Sequence, residues 1–241
     1  TLSSNSVFGF VSRTGTAGAD GTFRFEGVFV GTFSLQVTDP VSGSIGGVSG
    51  AVALHQEEVT ADVSLTPFSN LRGTVFRADG VTPVGTGVTV TLNRCNGNTY
   101  SGCNVVTVTD EQGRYRYDFL ALVNNAIVVA RDTATRGVGS GTIALVVNGA
   151  TQTLDITFQA QGSLVVLVTD ANATPQPSAS VTVNATGTDV TDRVTATTGA
   201  DGTVLVERVL AGTVAVSASA GGLSGTTTTT LAGGEVKNVT V

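Results

Sequence analysis

The segment Gly18-Ala19-Asp20-Gly21-Thr22 returns unchanged at Gly199-Ala200-Asp201-Gly202-Thr203, and both copies run on in step through Glu26 or Glu207 to Gly31-Thr32 or Gly212-Thr213. A weaker middle copy, Asp110-Glu111-Gln112-Gly113, leads into Tyr115 and Tyr117 where the first copy has Phe23 and Phe25. The landmark glycines Gly21, Gly113 and Gly202 are therefore 92 and 89 residues apart. A tandem repeat of about ninety residues is too long for one solenoid rung and suits a small sandwich domain. Short polar breaks at Pro67 to Asn70 and Gln159 to Gly162 divide the chain into a partial first repeat, 1–67, a second, 68–159, and a third, 160–241. Linkers this short predict a stiff rod.

Within the repeats the apolar residues alternate at period two. Phe23 and Phe25, then Phe33, Leu35 and Val37, face one way while Arg24, Ser34 and Gln36 face the other. Val88, Val90 and Leu92 alternate with threonines, as do Val181 and Val183, Val204 and Val206, and Val214 and Val216 with their neighbours. This is the pattern of strands half-buried against a second sheet. No stretch of ten residues carries a helical stripe. Asp20-Gly21 and Asp201-Gly202 fit tight hairpins. Val63 with Leu65, and Leu154, Ile156 with Phe158, read as closing strands.

Composition sets what the chain can do. Hydrophobic residues make up 41% and charged residues 12% of 241, with no Met or Trp. A net charge of −6, eleven scattered arginines and the single Lys237 give no basic surface for nucleic acid. No apolar run reaches the roughly eighteen residues of a membrane span; Phe119 to Ala130 is broken by Asn124 and Asn125. Thr1 opens the chain without a Met or a signal-like segment, which reads as a mature or internal piece of something longer.

Gly73-Thr74-Val75, Asp79-Gly80, Pro83-Val84, Gly87 to Val90 and Thr109 to Tyr115 together resemble the carboxypeptidase regulatory-like domain, a relative of the B-type repeats of collagen adhesins. The third repeat is similar through Gly162, Asp170, Pro175, Val181 to Val183, Asp201-Gly202 and Val209 to Gly212. The resemblance implies an all-β, Greek-key, prealbumin-like sandwich of seven strands. It says little of function, because such modules serve as spacers, stalks and accessory domains. In the adhesin relatives a lysine of the first strand joins an asparagine of the last. Here Leu71 to Arg77 and Ser163 to Thr169 hold no lysine and Lys237 lies in the last strand, so no such crosslink is expected.

Few residues carry chemistry. Cys95 and Cys103 flank a Gly/Asn-rich tip, and a hairpin disulfide, half a metal site and two free thiols are the options. The only histidine, His55, is distant, and the secreted-looking context favours the disulfide. The tip, with Asn96, Asn98 and Tyr100, is the candidate binding loop. A hydrolytic triad would draw its base from His55, in a strand-like segment crowded by Gln56, Glu57 and Glu58, and a solvated surface histidine is the better reading. Gly137 to Gly141 approaches a nucleophile-elbow motif but lies in a loop with no helix after it. Glu26 and Glu207 recur with the repeat, which argues for a turn role. Asp20, Asp110 and Asp201, with Asp79 and Asp170, are weak calcium candidates, since Asp before Gly is ordinary turn chemistry. No cofactor is expected.

These features predict a non-enzymatic, extracellular or cell-surface stalk or fibre segment, partnered by its own copies or by adjacent domains. The alternative is an adhesion module gripping a glycan or protein with the Cys95–Cys103 loop. About forty residues precede the landmark glycine in the second repeat and only twenty precede Gly21, so roughly two strands are missing from the first. Phe8 to Val11 is either an opening strand or a later one. Strands from an upstream segment or a neighbouring copy are expected to fill the gap.

Overall fold

The structure, a computed structural model, describes residues 1–95, 97, 101–187 and 190–241. The described residues are all-β and contain no helix. The chain forms two compact units. One is Thr1–Asn70 with Asp118–Leu122 and Val146–Ala150; the other is Leu71–Tyr117, Val123–Leu145 and Thr151–Val241.

The first unit is built on β1 (Leu2–Ser6), β2 (Gly9–Arg13), β3 (Gly31–Thr38) and β4 (Ile45–Val52), in the antiparallel order β2-β1-β3-β4. Leu2, Phe33 and Leu35 point to one face and are buried there, with Phe23, Phe25, Val28, Ala61 and Val63 half-buried against them. The alternation read in β3 is borne out. Two expected strands are not: residues 22–30 and 57–67 hold no strand, although Phe23, Phe25, Val28, Ala61 and Val63 pack against the core. Among the described residues, the backbone N–H groups of 23–30 and 58–65 have no backbone acceptor, and a ladder needs one.

The second unit holds β5 (Phe68–Phe76, from Leu71), β6 (Thr89–Asn93), β7 (Asn104–Val108), β8 (Arg114–Ala121, to Tyr117), β9 (Val123–Arg131), β10 (Val138–Leu145), β11 (Thr151–Thr153) and β12 (Ile156–Thr157). One sheet runs β10-β9-β6-β7, and in the other β5 pairs with β8, β11 and β12. The third repeat adds β13 (Gln161–Leu167), β14 (Ser180–Thr186), β15 (Thr191–Thr197), β16 (Thr203–Leu210), β17 (Gly212–Ala220), β18 (Leu223–Leu231) and β19 (Val236–Thr240). These seven strands form sheets β16-β13-β19 and β15-β14-β17-β18. Leu164, Val166, Val181, Val183, Val206, Val214 and Val216 fill the space between them with almost no exposure. Each such side chain contributes about 1.5–3 kcal/mol by leaving water.

The Gly137 to Gly141 run is not a loop, because β10 begins at Val138. Its glycines make room for the closing segment, which lies across the strand. A Cβ on Gly137 would fall 2.4 Å from the Phe158 ring, and one on Gly139 2.3 Å from the Thr157 carbonyl oxygen. Gly73 in β5 is tighter still: its Cβ would lie 1.9 Å from the Leu154 carbonyl oxygen and 2.8 Å from the Tyr115 ring. Gly73→Ala should therefore cost about 1–3 kcal/mol by overpacking. Gly47→Ala, where the nearest atom would be the Leu35 carbonyl oxygen at 3.4 Å, should stay within about 0.5 kcal/mol of the parent. Urea unfolding of the two variants checks the contrast.

Candidate strand-acceptor site

The repeats can be superposed by register alone. Gly21 and Gly202 are 181 residues apart, and the same separation carries the pair Asn5–Thr32 onto Thr186–Thr213 and Ser3–Ser12 onto Asn184–Arg193. Thus β1 and β2 correspond to β14 and β15. Phe8 to Val11 belongs to a later strand, and residues 1–67 hold counterparts of β14 and β15 but none of β13.

That strand has a specific place. In the third repeat β13 lies antiparallel to β16 and parallel to β19, giving hydrogen bonds to both. The counterpart of β16 in the first repeat is residues 22–29, and the counterpart of β19 is residues 58–65. Among the described residues, the backbone N–H groups of 23–30 and 58–65 have no backbone acceptor. The backbone conformation of the missing pairing is nevertheless present. Arg208 sits at φ 57°, where the β13–β16 register shifts at a bulge opposite Gly162. Phe119 at φ 57° and Gly27 at φ 63° hold the equivalent positions in the other repeats. Glu26 and Glu207 precede this bulge rather than forming a turn. The Arg13 guanidinium donates to the carbonyl oxygens of Glu26 and, at 2.9 Å, Gly27, holding the segment against β2.

Exposure tells the same story. Gly113 and Gly202 are buried, and a Cβ on either would crowd Pro83 or Pro175; Gly21 is exposed, with nothing near. Leu210 is 0% exposed and its counterpart Phe29 45%. Tyr115 and Tyr117 are buried and donate to the carbonyls of Leu154 at 2.5 Å and Val90 at 2.7 Å, while Phe23 and Phe25 are only half-covered. Burial pushes both tyrosine hydroxyls up.

The other candidate residues resolve into structure. Cys95 and Cys103 are bonded, with Cα atoms 5.4 Å apart. The Asn93 side chain accepts from the Cys95 and Gly97 backbone N–H groups at 3.0 and 2.9 Å, and Arg94 donates to Gly102. Asn96, Asn98 and Tyr100 lie outside the described residues. His55 is exposed in a turn, not in a strand, and Glu57 is engaged by the Ala53 and Leu54 N–H groups. The Lys237 ammonium donates to the Thr230 carbonyl at 2.6 Å, beside Glu235.

The aspartates close their own turns. Asp20 accepts from the Thr22 N–H and hydroxyl, Asp201 from those of Thr203, and Asp110 from the Gln112 and Arg114 N–H groups. Asp79 and Asp170 do the same in their loops. No cluster of three metal-capable side chains occurs among the described residues. Hydrogen bonds hold the Asp20, Asp170 and Asp201 carboxyls below the usual range, and the Thr82 hydroxyl and N–H bring Asp79 to about 2.

No family model matches the chain, and no curated protein matches it. The carboxypeptidase regulatory-like likeness thus rests on the quoted motifs alone. Among solved structures, a streptococcal ancillary pilin is similar at 14% identity, covering 88% of this chain and 75% of that one, with a TM-score of 0.41. The minor pilin GBS52 of Streptococcus agalactiae is similar at 13% identity over 72% of this chain and 94% of that one, TM-score 0.46. A putative cell adhesion protein of Bacteroides ovatus is similar at 12% over 72% and 91%, TM-score 0.30. These likenesses are too distant to transfer a function.

Two outcomes follow from the capped turns and the disulfide. A carboxylate held low in the folded state adds stability above its unfolded value, near 3.8 here, and loses it as pH falls through the folded value. The turns should therefore loosen between pH about 4 and about 2, visible as Asp79 carboxyl and Thr82 amide shifts titrating together by NMR. Reduction should add two hydrogens to the intact mass and lower stability by about 2.5 kcal/mol. A mass unchanged by reduction, with both thiols already open to alkylation, would contradict the bond.

Proposed function

We propose that this chain is a non-catalytic structural segment of an extracellular or cell-surface assembly, a stalk or fibre piece, and that the open ladder of its first repeat takes a β-strand from an upstream segment or a neighbouring copy. The observation that carries the reading is the contrast at the landmark glycines: Gly113 and Gly202 buried, Gly21 bare beside two segments with unpaired backbone. Exposed strand edges invite pairing, and strand addition supplies main-chain hydrogen bonds for affinity and alternate side-chain positions for specificity.

The rest of the chain supports a mechanical role. The second and third repeats are locked together: Val138 of β10 belongs to the third repeat's core, Arg136 pairs with Asp192, and Arg208 donates to the Ala134 carbonyl at 2.7 Å. The outer face of the third repeat is hydroxyl-rich, with Thr195, Thr182, Ser217 and Thr226 in one cross-strand row. A second reading is an adhesion module that takes a glycan or protein on the Cys95–Cys103 loop. Its support is the braced base of that loop, where Asn93, Arg94 and the disulfide converge.

Hydrogen exchange of the whole chain, dilute and concentrated, tests the first reading alongside sedimentation. Amides of 23–29 and 59–65 should exchange fast in the monomer and become protected in the assembled material. Protection of both segments in a chain that stays monomeric at every concentration would defeat it. Loop binding instead predicts a surface ligand lost when Cys95 and Cys103 are replaced by serine.

A further inference from the structure

The second repeat presents an edge strand that is equipped to pair. β7 ends the sheet β10-β9-β6-β7, and β6 is its one ladder neighbour among the described residues. The ladder fixes which groups face outward. The Arg94 N–H donates to the Cys103 carbonyl at 2.9 Å and the Thr109 N–H to that of Val88 at 3.0 Å. Hydrogen-bonded pairs alternate with open ones in an antiparallel ladder, so Val105 and Thr107 bond to β6 while the N–H and C=O groups of Asn104, Val106 and Val108 point to the free edge. An edge of this kind is a template for another strand.

Its side chains do not guard it. Natural edges are blunted by charge, proline or a bulge. Asn104–Val108 has none of the three, and Val106 and Val108 are 60% and 58% exposed. The third repeat is built differently at the same positions. A separation of 89 residues carries Thr109 onto Thr198, whose hydroxyls receive the N–H groups of Val88 at 3.1 Å and Ala179 at 2.8 Å. It carries Asn104, Val106 and Val108 onto Arg193, Thr195 and Thr197 of β15, all exposed. Valine and threonine are both β-branched and both favour strands, so the strand itself does not require valine there. What differs is the surface, apolar and uncharged in the second repeat where the third carries hydroxyls and an arginine.

We infer that β7 pairs antiparallel with β7 of a second copy of this chain, about a two-fold axis at Val106. Self-pairing satisfies the edge in full: Val106 meets Val106, Asn104 meets Val108, and each meeting joins two residues whose N–H and C=O groups face the edge. The valines of the two copies then form one apolar cluster, Val108 lying diagonal to Val106 of the other copy. Charge agrees. The strand carries none, so none is repeated across the axis. Beyond its ends the axis brings Asp110 of each copy toward Gly102 of the other, and the Arg94 guanidinium is bonded to the Gly102 carbonyl at 2.7 Å. Opposite charges therefore approach each other twice. The Cys95–Cys103 bond ties the end of the hairpin beside the edge, which holds the pairing groups in place before a strand arrives. An edge of five residues buries less than about 1,200 Å² in total, so the pair is reversible and forms at high concentration.

The test is sedimentation equilibrium and amide exchange of the full chain across concentration. A reversible dimer should form, and the amides of Asn104, Val106 and Val108 should slow as concentration rises while those of Val105 and Thr107 are slow throughout. V106K sets two ammonium groups on the axis and should weaken the dimer at least about fivefold. The double variant V106T/V108T, which copies the residues of β15, should weaken it in the same direction. Both positions are exposed, so both variants should keep the parent's urea midpoint. L205K, at an apolar residue of the third repeat that is 54% exposed, should leave the dimer unchanged. A chain that stays monomeric up to millimolar concentration, or a dimer that V106K and the double variant form as readily as the parent, overturns the inference. Dimers that protect 23–29 and 59–65 while 104, 106 and 108 exchange freely also overturn it, and support strand acceptance by the first repeat instead.

Discussion

The backbone pairing of the opening strand is the contact on which each sandwich depends. β13 is the middle strand of its sheet, so one element satisfies the inward-facing N–H and C=O groups of both β16 and β19 while placing Leu164 and Val166 at the centre of the core. Removing a middle strand costs more than removing an edge. It leaves two ladders open, and each unpaired group forfeits a hydrogen bond unless water reaches it. In the first repeat the four-stranded sheet is formed, while residues 22–30 and 57–67 carry no ladder and keep Phe23, Phe25, Val28, Ala61 and Val63 on the core.

The architecture was largely legible in the sequence because repeat and alternation are local records of packing. Gly21, Gly113 and Gly202 gave the period, and the valine-threonine alternation at Val88 to Leu92 and Val181 to Val183 gave strands whose buried and exposed faces the structure reproduces. The disulfide was legible from an eight-residue spacing across a turn-rich tip. What could not be read was pairing. Phe23 and Phe25 alternate as a strand would, yet alternation records only which face is buried, and a strand also needs a neighbour. The same limit left Phe8 to Val11 undecided until the register Ser3–Ser12 fixed it as a later strand.

The glycines in strands were the least legible signal. Read as motif, Gly137 to Gly141 suggested a loop and an approach to a nucleophile elbow; in the fold its glycines are places where another backbone passes within contact distance. Such glycines say where chains cross. A sequence reader could have extracted this from recurrence, since Gly73 and Gly162 stand 89 residues apart, the same separation as the landmark glycines Gly113 and Gly202. A turn glycine serves its own backbone conformation, whereas these have no positive φ and serve a neighbour.

Side chains hold the two segments of the first repeat that carry no ladder. Arg13 sits where the third repeat has Val194, and its guanidinium occupies the carbonyl oxygens of Glu26 and Gly27, tying residues 22–29 to β2 from the side away from the open ladder. Arg24 pairs with Glu26 and reaches Glu58 at 3.8 Å, but all three side chains are exposed, where ion pairs contribute little. The apolar anchors do more, because Phe23, Phe25, Val28, Ala61 and Val63 remain against Leu2, Phe33 and Leu35. Side-chain burial thus fixes where the two segments lie, and the Gly27 bulge fixes how one of them bends.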